Sequence, residues 1–200
     1  VGEKFTDWLA AHAPEKIDPV IHVKITPNRP DALGVHGIAR DLSARGLGRL
    51  KPLPEARVTG SFPCPIKVTI ADDAAAKAPF FSGRVVRGVK NGPSPAWLQK
   101  RLRAIGLRPI NALVDITNFL TYDLNRPLHV FDAAKVRGDL ILRAARGDEK
   151  IVALDDKTYA LPAGAVVICD QTGPESIAGV MGGAASGAGE FTTEVFIEAA

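Results

Sequence analysis

Past Asp139 the apolar residues arrive in short runs, each cut off by Gly, Asp or Pro after a few positions, a spacing that suits strands and excludes long helices. The runs are 140–145, 166–169, 177–181 and 194–199, together with IVALDDKTYAL, a hairpin whose turn falls on Asp155 and Asp156. Helical periodicity lies earlier. Asp31 stands where an N-cap belongs, Val35, Ile38, Ala39 and Leu42 form an i, i+3, i+4, i+7 stripe, and Gly46 occupies the position where a helix end favours positive φ. Ser94 and Pro95 open a second helix along Leu98, Leu102 and Ile105 that stops at Gly106, and a third covers 110–120. Ile21, Val23 and Ile25 alternate with His22 and Lys24, which predicts a half-buried strand ended by Pro27 and Pro30. Two more strands are expected at 66–70 and 82–89. With helices grouped early and strands late, the expected class is α+β rather than repeated βαβ units.

Composition narrows the setting. The chain has 200 residues, 46% hydrophobic and 24% charged, enough for one large or two small cores. No run approaches the roughly 18 apolar residues of a membrane span, and VGEKFTDWL lacks the basic start and apolar centre of a signal peptide, so the expectation is a soluble, cytoplasmic protein with no membrane partner. Cys64 and Cys169 stand far apart without metal-ligand spacing and read as buried small residues. Opening on Val1 and ending on TTEVFIEAA, inside a strand-like pattern, the chain reads as a piece of a longer polypeptide. Its formal charge is only +3, but Arg84, Arg87, Lys90, Lys100, Arg101, Arg103 and Arg108 follow one another with no acidic residue between. Such a block attracts phosphate backbones or forms a solvated helix face.

Three stretches carry residues suited to chemistry. In ITPNRPDALGVHGIARDL (25–42) the prolines and Asn28 fix an extended turn, a structural role, although Arg29 and Arg40 are available to RNA. In VDITNFLTYDLNRPLHVFD (114–132) Asp115, Thr117, Asn118, His129 and Asp132 gather closely. On a helix Asp115 and Asn118 share a face while Thr117 points elsewhere. A neutral imidazole beside an amide and a hydroxyl can hold a water and a carbonyl oxygen, as ester hydrolysis needs. The alternative is a histidine satisfied in a turn, with Asn118 capping a helix end. No GxSxG-type nucleophile occurs, which favours direct attack by water. The third stretch, IAGVMGGAASGAGE (177–190), lacks the GK[ST] ending of a phosphate loop, so nucleotide binding ranks last among its roles. Its glycines permit close approach of a ligand to backbone N–H groups, or simply a flexible hairpin loop. Glu198 lies on the Phe196 face of the last strand and is either an exposed edge residue or a recognition group, because a carboxylate among apolar neighbours is costly without a partner.

TPNRPDALGVHGIARDL, GVKNGPSPAWLQKRLRAIGLRPINALVDITNFLTYDLNRPLHVFD and AGVMGGAASG, in that order and followed by IEAA, resemble the beta subunit of bacterial phenylalanyl-tRNA synthetase over residues 20 to 200. The resemblance implies an internal fragment: a small strand–helix piece at 1–52, a linker at 53–65, and from 66 to 200 a tRNA editing domain, β-sandwich-like with helices packed on one side. It implies hydrolysis of tyrosine wrongly esterified to phenylalanine tRNA, with His129, Asn118 and Thr117 at the ester and Glu198, Gly179 and Ala178 at the tyrosine. The partners it implies are that tRNA and the alpha subunit, in a two-alpha two-beta assembly. ATP and magnesium belong to the parent ligase, with no cofactor in this fragment. A scaffold that docks tRNA after losing its editing is the competing reading.

Overall fold

The structure, a computed structural model, describes residues 2, 4–14, 17–54 and 57–199. The helices are α1 (Phe5–His12), α2 (Val35–Ala44), α3 (Asp72–Ala75), α4 (Ala96–Ala104) and α5 (Ala112–Leu124). The strands are β1 (Val68–Ile70), β2 (Ser82–Arg87), β3 (His129–Asp132), β4 (Leu140–Ala144), β5 (Lys150–Val152), β6 (Thr158–Ala160), β7 (Val166–Cys169), β8 (Pro174–Ile177), β9 (Met181–Gly182) and β10 (Glu194–Ala199). The fold is mixed α+β, as expected.

Alternation within the strands explains how the sheets stack. The five-stranded sheet has the order β1-β4-β7-β8-β9, and the three-stranded sheet the order β2-β10-β3. Successive side chains of a strand point to opposite faces. Leu140, Leu142 and Ile168 of the larger sheet therefore join Val85, Phe131 and Phe196 of the smaller in one core. On the other face, Val167 and Cys169 meet Ile151 and Leu161 beside the β5-β6 hairpin. Phe131 and Phe196 are fully buried, and each contributes about 1.5–3 kcal/mol of transfer free energy. Gly83 gives the Phe196 ring its space, since a Cβ there would come within 2.0 Å of the ring.

The helices gather around α5, which contacts β3, α4 and α2. Leu98 and Leu102 of α4 are buried, as their spacing predicted, whereas Ile105 is the exposed C-cap residue. Gly106 takes φ +83° immediately after that cap, and Gly46 does the same after α2.

Several expectations are corrected. Residues 21–25 form no strand; Ile21 is 84% exposed, and no described segment lies alongside to complete a ladder. Asp31 does not cap α2: a 3-10 turn at Pro30–Ala32 intervenes and Gly34 is the N-cap. Asp31 instead binds Arg29 and Arg40, so the two arginines considered for RNA are held in an ion network with Asp31 and Asp41. The α2 stripe faces outward at Val35 and Leu42, and the buried position is Gly37, where a Cβ would collide with the Asp31 carbonyl. Cys169 is buried, but Cys64 is exposed in a stretch without regular structure. The run 177–181 is broken by a turn at 178–180 between β8 and β9.

Two carboxylates in the larger sheet region contrast. Glu149 forms a two-point bridge to Arg143 at 2.5 and 2.9 Å, and that guanidinium holds its carboxyl down at about 2. Glu175 on β8 is buried, with one oxygen lacking a hydrogen-bond partner among the described residues; burial pushes its carboxyl up, and the Asp170 charge adds to this. A raised carboxyl favours the fold in its neutral form, and that stability is lost as pH rises through the raised value. Glu175→Gln removes the charged state, so thermal unfolding at pH 8 should show a gain of about 1 kcal/mol, or about 2–4 °C. The gain should shrink toward pH 5; a loss of stability at pH 8 contradicts the assignment.

Candidate functional site

A cavity of about 200 Å³ opens where α5, β3, β10 and the β8-β9 turn converge. The Asn111 side chain caps α5 by accepting the Val114 N–H at 3.0 Å, and Asn125, in the left-handed conformation at φ 55°, ends it. After Pro127 the chain turns directly into β3 and presents His129 to the same space that Thr117 and Asn118 face from α5. The relation expected between Asp115 and Asn118 is corrected here. Asp115 is fully buried away from the cavity, accepting the Ser94 hydroxyl and the Ile110 N–H at 2.9 Å, while Thr117 and Asn118 share the cavity wall.

Register brings in the remaining wall. In the antiparallel ladder Glu198 lies opposite His129, and Phe196 opposite Phe131, so Glu198 continues the face that carries the core aromatics. It is 4% exposed and belongs to the buried interior rather than to an exposed edge. Gly179 lies in the β8-β9 turn with φ +69°, a conformation natural to glycine, and its N–H donates to no backbone carbonyl among the described residues. Thr117, Asn118, His129, Gly179 and Glu198 thus line one cavity. Ala178 does not line it: its N–H binds the Val166 carbonyl at 3.1 Å and its side chain packs against the core between the sheets.

The imidazole of His129 sits edge-on to Phe131, with ring centroids 4.4 Å apart and planes at 89°. Its Nε2 is buried without a hydrogen-bond partner among the described residues, although part of the residue remains accessible. Burial alone pushes its pKa down to about 4, so the ring is neutral at pH 7. The Thr117 hydroxyl donates to the Val114 carbonyl at 2.8 Å, which leaves its oxygen lone pairs as acceptors. Ser176 and Gly182 also line the cavity. They were not singled out from the sequence; only the glycine-rich run hinted at Gly182. Among the described residues no group of three His, Cys, Asp or Glu side chains is placed to hold a metal ion, and no helix is long and apolar enough to cross a membrane.

Residues 77–200 match the B3/4 domain family. The chain belongs to that family. Across all 200 residues it is 62% identical to the phenylalanine–tRNA ligase beta subunit of Ruegeria pomeroyi, covering 25% of that protein. It is 60% identical to the corresponding subunit of Cereibacter sphaeroides, again over the whole chain and 24% of the relative. The chain therefore spans about a quarter of the length of the curated relatives it matches. In fold it is similar to an N-terminal fragment of the phenylalanyl-tRNA synthetase beta subunit from Pyrococcus horikoshii, with a TM-score of 0.55 at 16% identity over 98% of this chain and 62% of that one. The resemblance read over residues 20 to 200 holds, and the match to the beta subunits extends through residues 1 to 19 as well.

The low pKa of His129 has a thermodynamic consequence. Between about 4 and 6.5 the unfolded chain takes up a proton that the folded ring refuses, so folding stability falls as pH drops through that window and the contribution is complete above 6.5. Urea unfolding at pH 7 and pH 4.5 should show a larger loss for the wild type than for His129→Gln. Equal losses mean that the ring is not desolvated.

Proposed function

We propose that this cavity hydrolyses tyrosine wrongly esterified to phenylalanine tRNA, as the editing site of a phenylalanine–tRNA ligase beta subunit. The observation that carries the reading is the convergence of Thr117, Asn118, His129, Gly179 and Glu198, from three separated segments, on one cavity that pairs a buried carboxylate with a neutral imidazole. High identity to ligase beta subunits over the whole chain supports the setting.

Tyrosine and phenylalanine differ by one hydroxyl, and an apolar pocket rejects an added hydroxyl by only about a hundredfold, so a second filter is useful. Glu198 accepts the tyrosine O–H, and the Gly179 N–H donates to the same oxygen. Phenylalanine would leave these groups without that partner, at a cost of about 1–3 kcal/mol, and cognate product is spared. Thr117, Asn118 and His129 orient the ester and the attacking water. The water oxygen bonds to the ester carbonyl carbon, the bond to the ribose oxygen breaks, and that oxygen leaves as a hydroxyl on intact tRNA. The proton released by the water reaches that leaving oxygen in relay, either through the imidazole or through the neighbouring ribose hydroxyl, which gives up its own proton as it receives one. His129 and Glu198 are ladder partners, so the two roles require their tips to diverge; the imidazole turns toward Gly182 of β9. In this reading synthesis of aminoacyl-tRNA, with ATP and magnesium, lies in the alpha subunit of a cytoplasmic two-alpha two-beta enzyme.

The test is deacylation of tyrosyl-tRNA by the parent synthetase. Glu198→Ala should slow it about tenfold to a hundredfold, and His129→Ala by about a hundredfold. Wild-type rates in both variants sink the assignment. A wild-type enzyme that binds the tRNA but clears no ester favours a docking scaffold instead.

A further inference from the structure

Nε2 of His129 is buried without a hydrogen-bond partner among the described residues, which is unusual for a buried polar atom and raises the question of what sets the ring's orientation. The surrounding geometry answers it. A Cβ built on Gly182 would lie 1.9 Å from His129 Cε1, 2.4 Å from Nε2 and 2.5 Å from Nδ1, and these three ring atoms are the nearest it would meet. The imidazole therefore lies directly on the bare Cα of β9. On another side it meets Phe131 edge-on, and Phe131 is itself fixed in the core between the sheets. Gly182 is in turn held by its pairing with Ser176 and by its carbonyl, which accepts the Leu154 N–H at 3.1 Å.

We propose that Gly182 is the positioning residue for His129: the missing side chain provides the slot in which the imidazole lies, and van der Waals contact with the backbone of β9 orients the ring toward the cavity. Its relevance to hydrolysis rests on the editing reading above; the seating of the ring does not. Unlike Gly179, Gly182 does not have positive φ, so an alanine there introduces no backbone strain of its own. The substitution acts on the ring alone, and because the ring is the end of a side chain it can swing out.

Two measurements test this. The first follows the four histidines of the chain by NMR titration with selectively labelled histidine, with His129 assigned by its absence from the His129→Gln spectrum. In Gly182→Ala the His129 ring should move toward solvent and titrate closer to the ordinary 6.5, at least one pH unit above its wild-type value, while the other three stay unchanged. Unchanged titration and ring shifts in folded Gly182→Ala overturn the proposal. Should that variant fail to fold, Gly182→Ala combined with His129→Ala must recover the melting temperature of His129→Ala, because the slot is then empty; no recovery overturns it too. The second measurement is tyrosyl-tRNA deacylation by the parent synthetase. Gly182→Ala should lower kcat by about tenfold or more with KM little altered, and should add less than twofold when His129 is already alanine. An equal loss in both backgrounds shows action independent of His129 and overturns the proposal. If the wild-type enzyme deacylates nothing, the editing reading falls, while the titration still decides the seating of the ring.

Discussion

Everything near the cavity depends on β10 being the middle strand of its sheet. It pairs along its length with β2 and over four positions with β3, joining residues as far apart as Ser82 and Ala199, 117 positions in sequence. One face of this strand does two jobs. Phe196 fills the core between the sheets, and two residues later Glu198 reaches the cavity. A slip of one residue would reverse both, because side chains alternate across a strand. Burial of Phe196 and placement of Glu198 are therefore the same event, and the hydrophobic core enforces the geometry of the polar site.

Glycine seats recur in that arrangement. Gly83 on β2 leaves room for the Phe196 ring, and Gly182 on β9 leaves room for the His129 ring. Phe196, Phe131 and His129 form a chain of contacting rings that runs from the core to the cavity. The last ring in this series is a titratable group in largely apolar surroundings, and desolvation keeps it neutral. The same physical setting that stabilises two phenylalanines thus keeps a histidine uncharged.

Much of the fold was legible because it is locally encoded. The runs 166–169 and 194–199 became strands at those positions, and the 155–156 turn formed where two acidic residues stand together, with Asp156 at φ 62°. Gly46 and Gly106 ended their helices as expected. What failed depended on neighbours. Residues 21–25 have the alternation of a strand but no described partner for their backbone groups, and a strand without a ladder is only extended chain. Asp31 has the chemistry of an N-cap, yet two guanidiniums nearby offered it stronger charge-assisted contacts. On α5, spacing alone favoured Asp115 for the cavity. The helix is instead rotated so that Asp115 anchors the Ser94 turn and Thr117 faces inward.

The sequence by itself determined the family, the α+β class and the identity of the candidate site side chains, because those follow from residue types in order and from local periodicity. Only the tertiary structure decided which of them meet. Thr117, Asn118, His129, Gly179 and Glu198 share a cavity, while Ala178, next to one of them in sequence, faces the core. That division arises from non-local strand register and from the rotation of α5, which buries Asp115 and Thr117 while Ile116 and Tyr122 stay exposed. The seat of His129 on Gly182 is likewise invisible in one dimension, since a glycine's lack of a Cβ matters only where another residue's ring comes to rest.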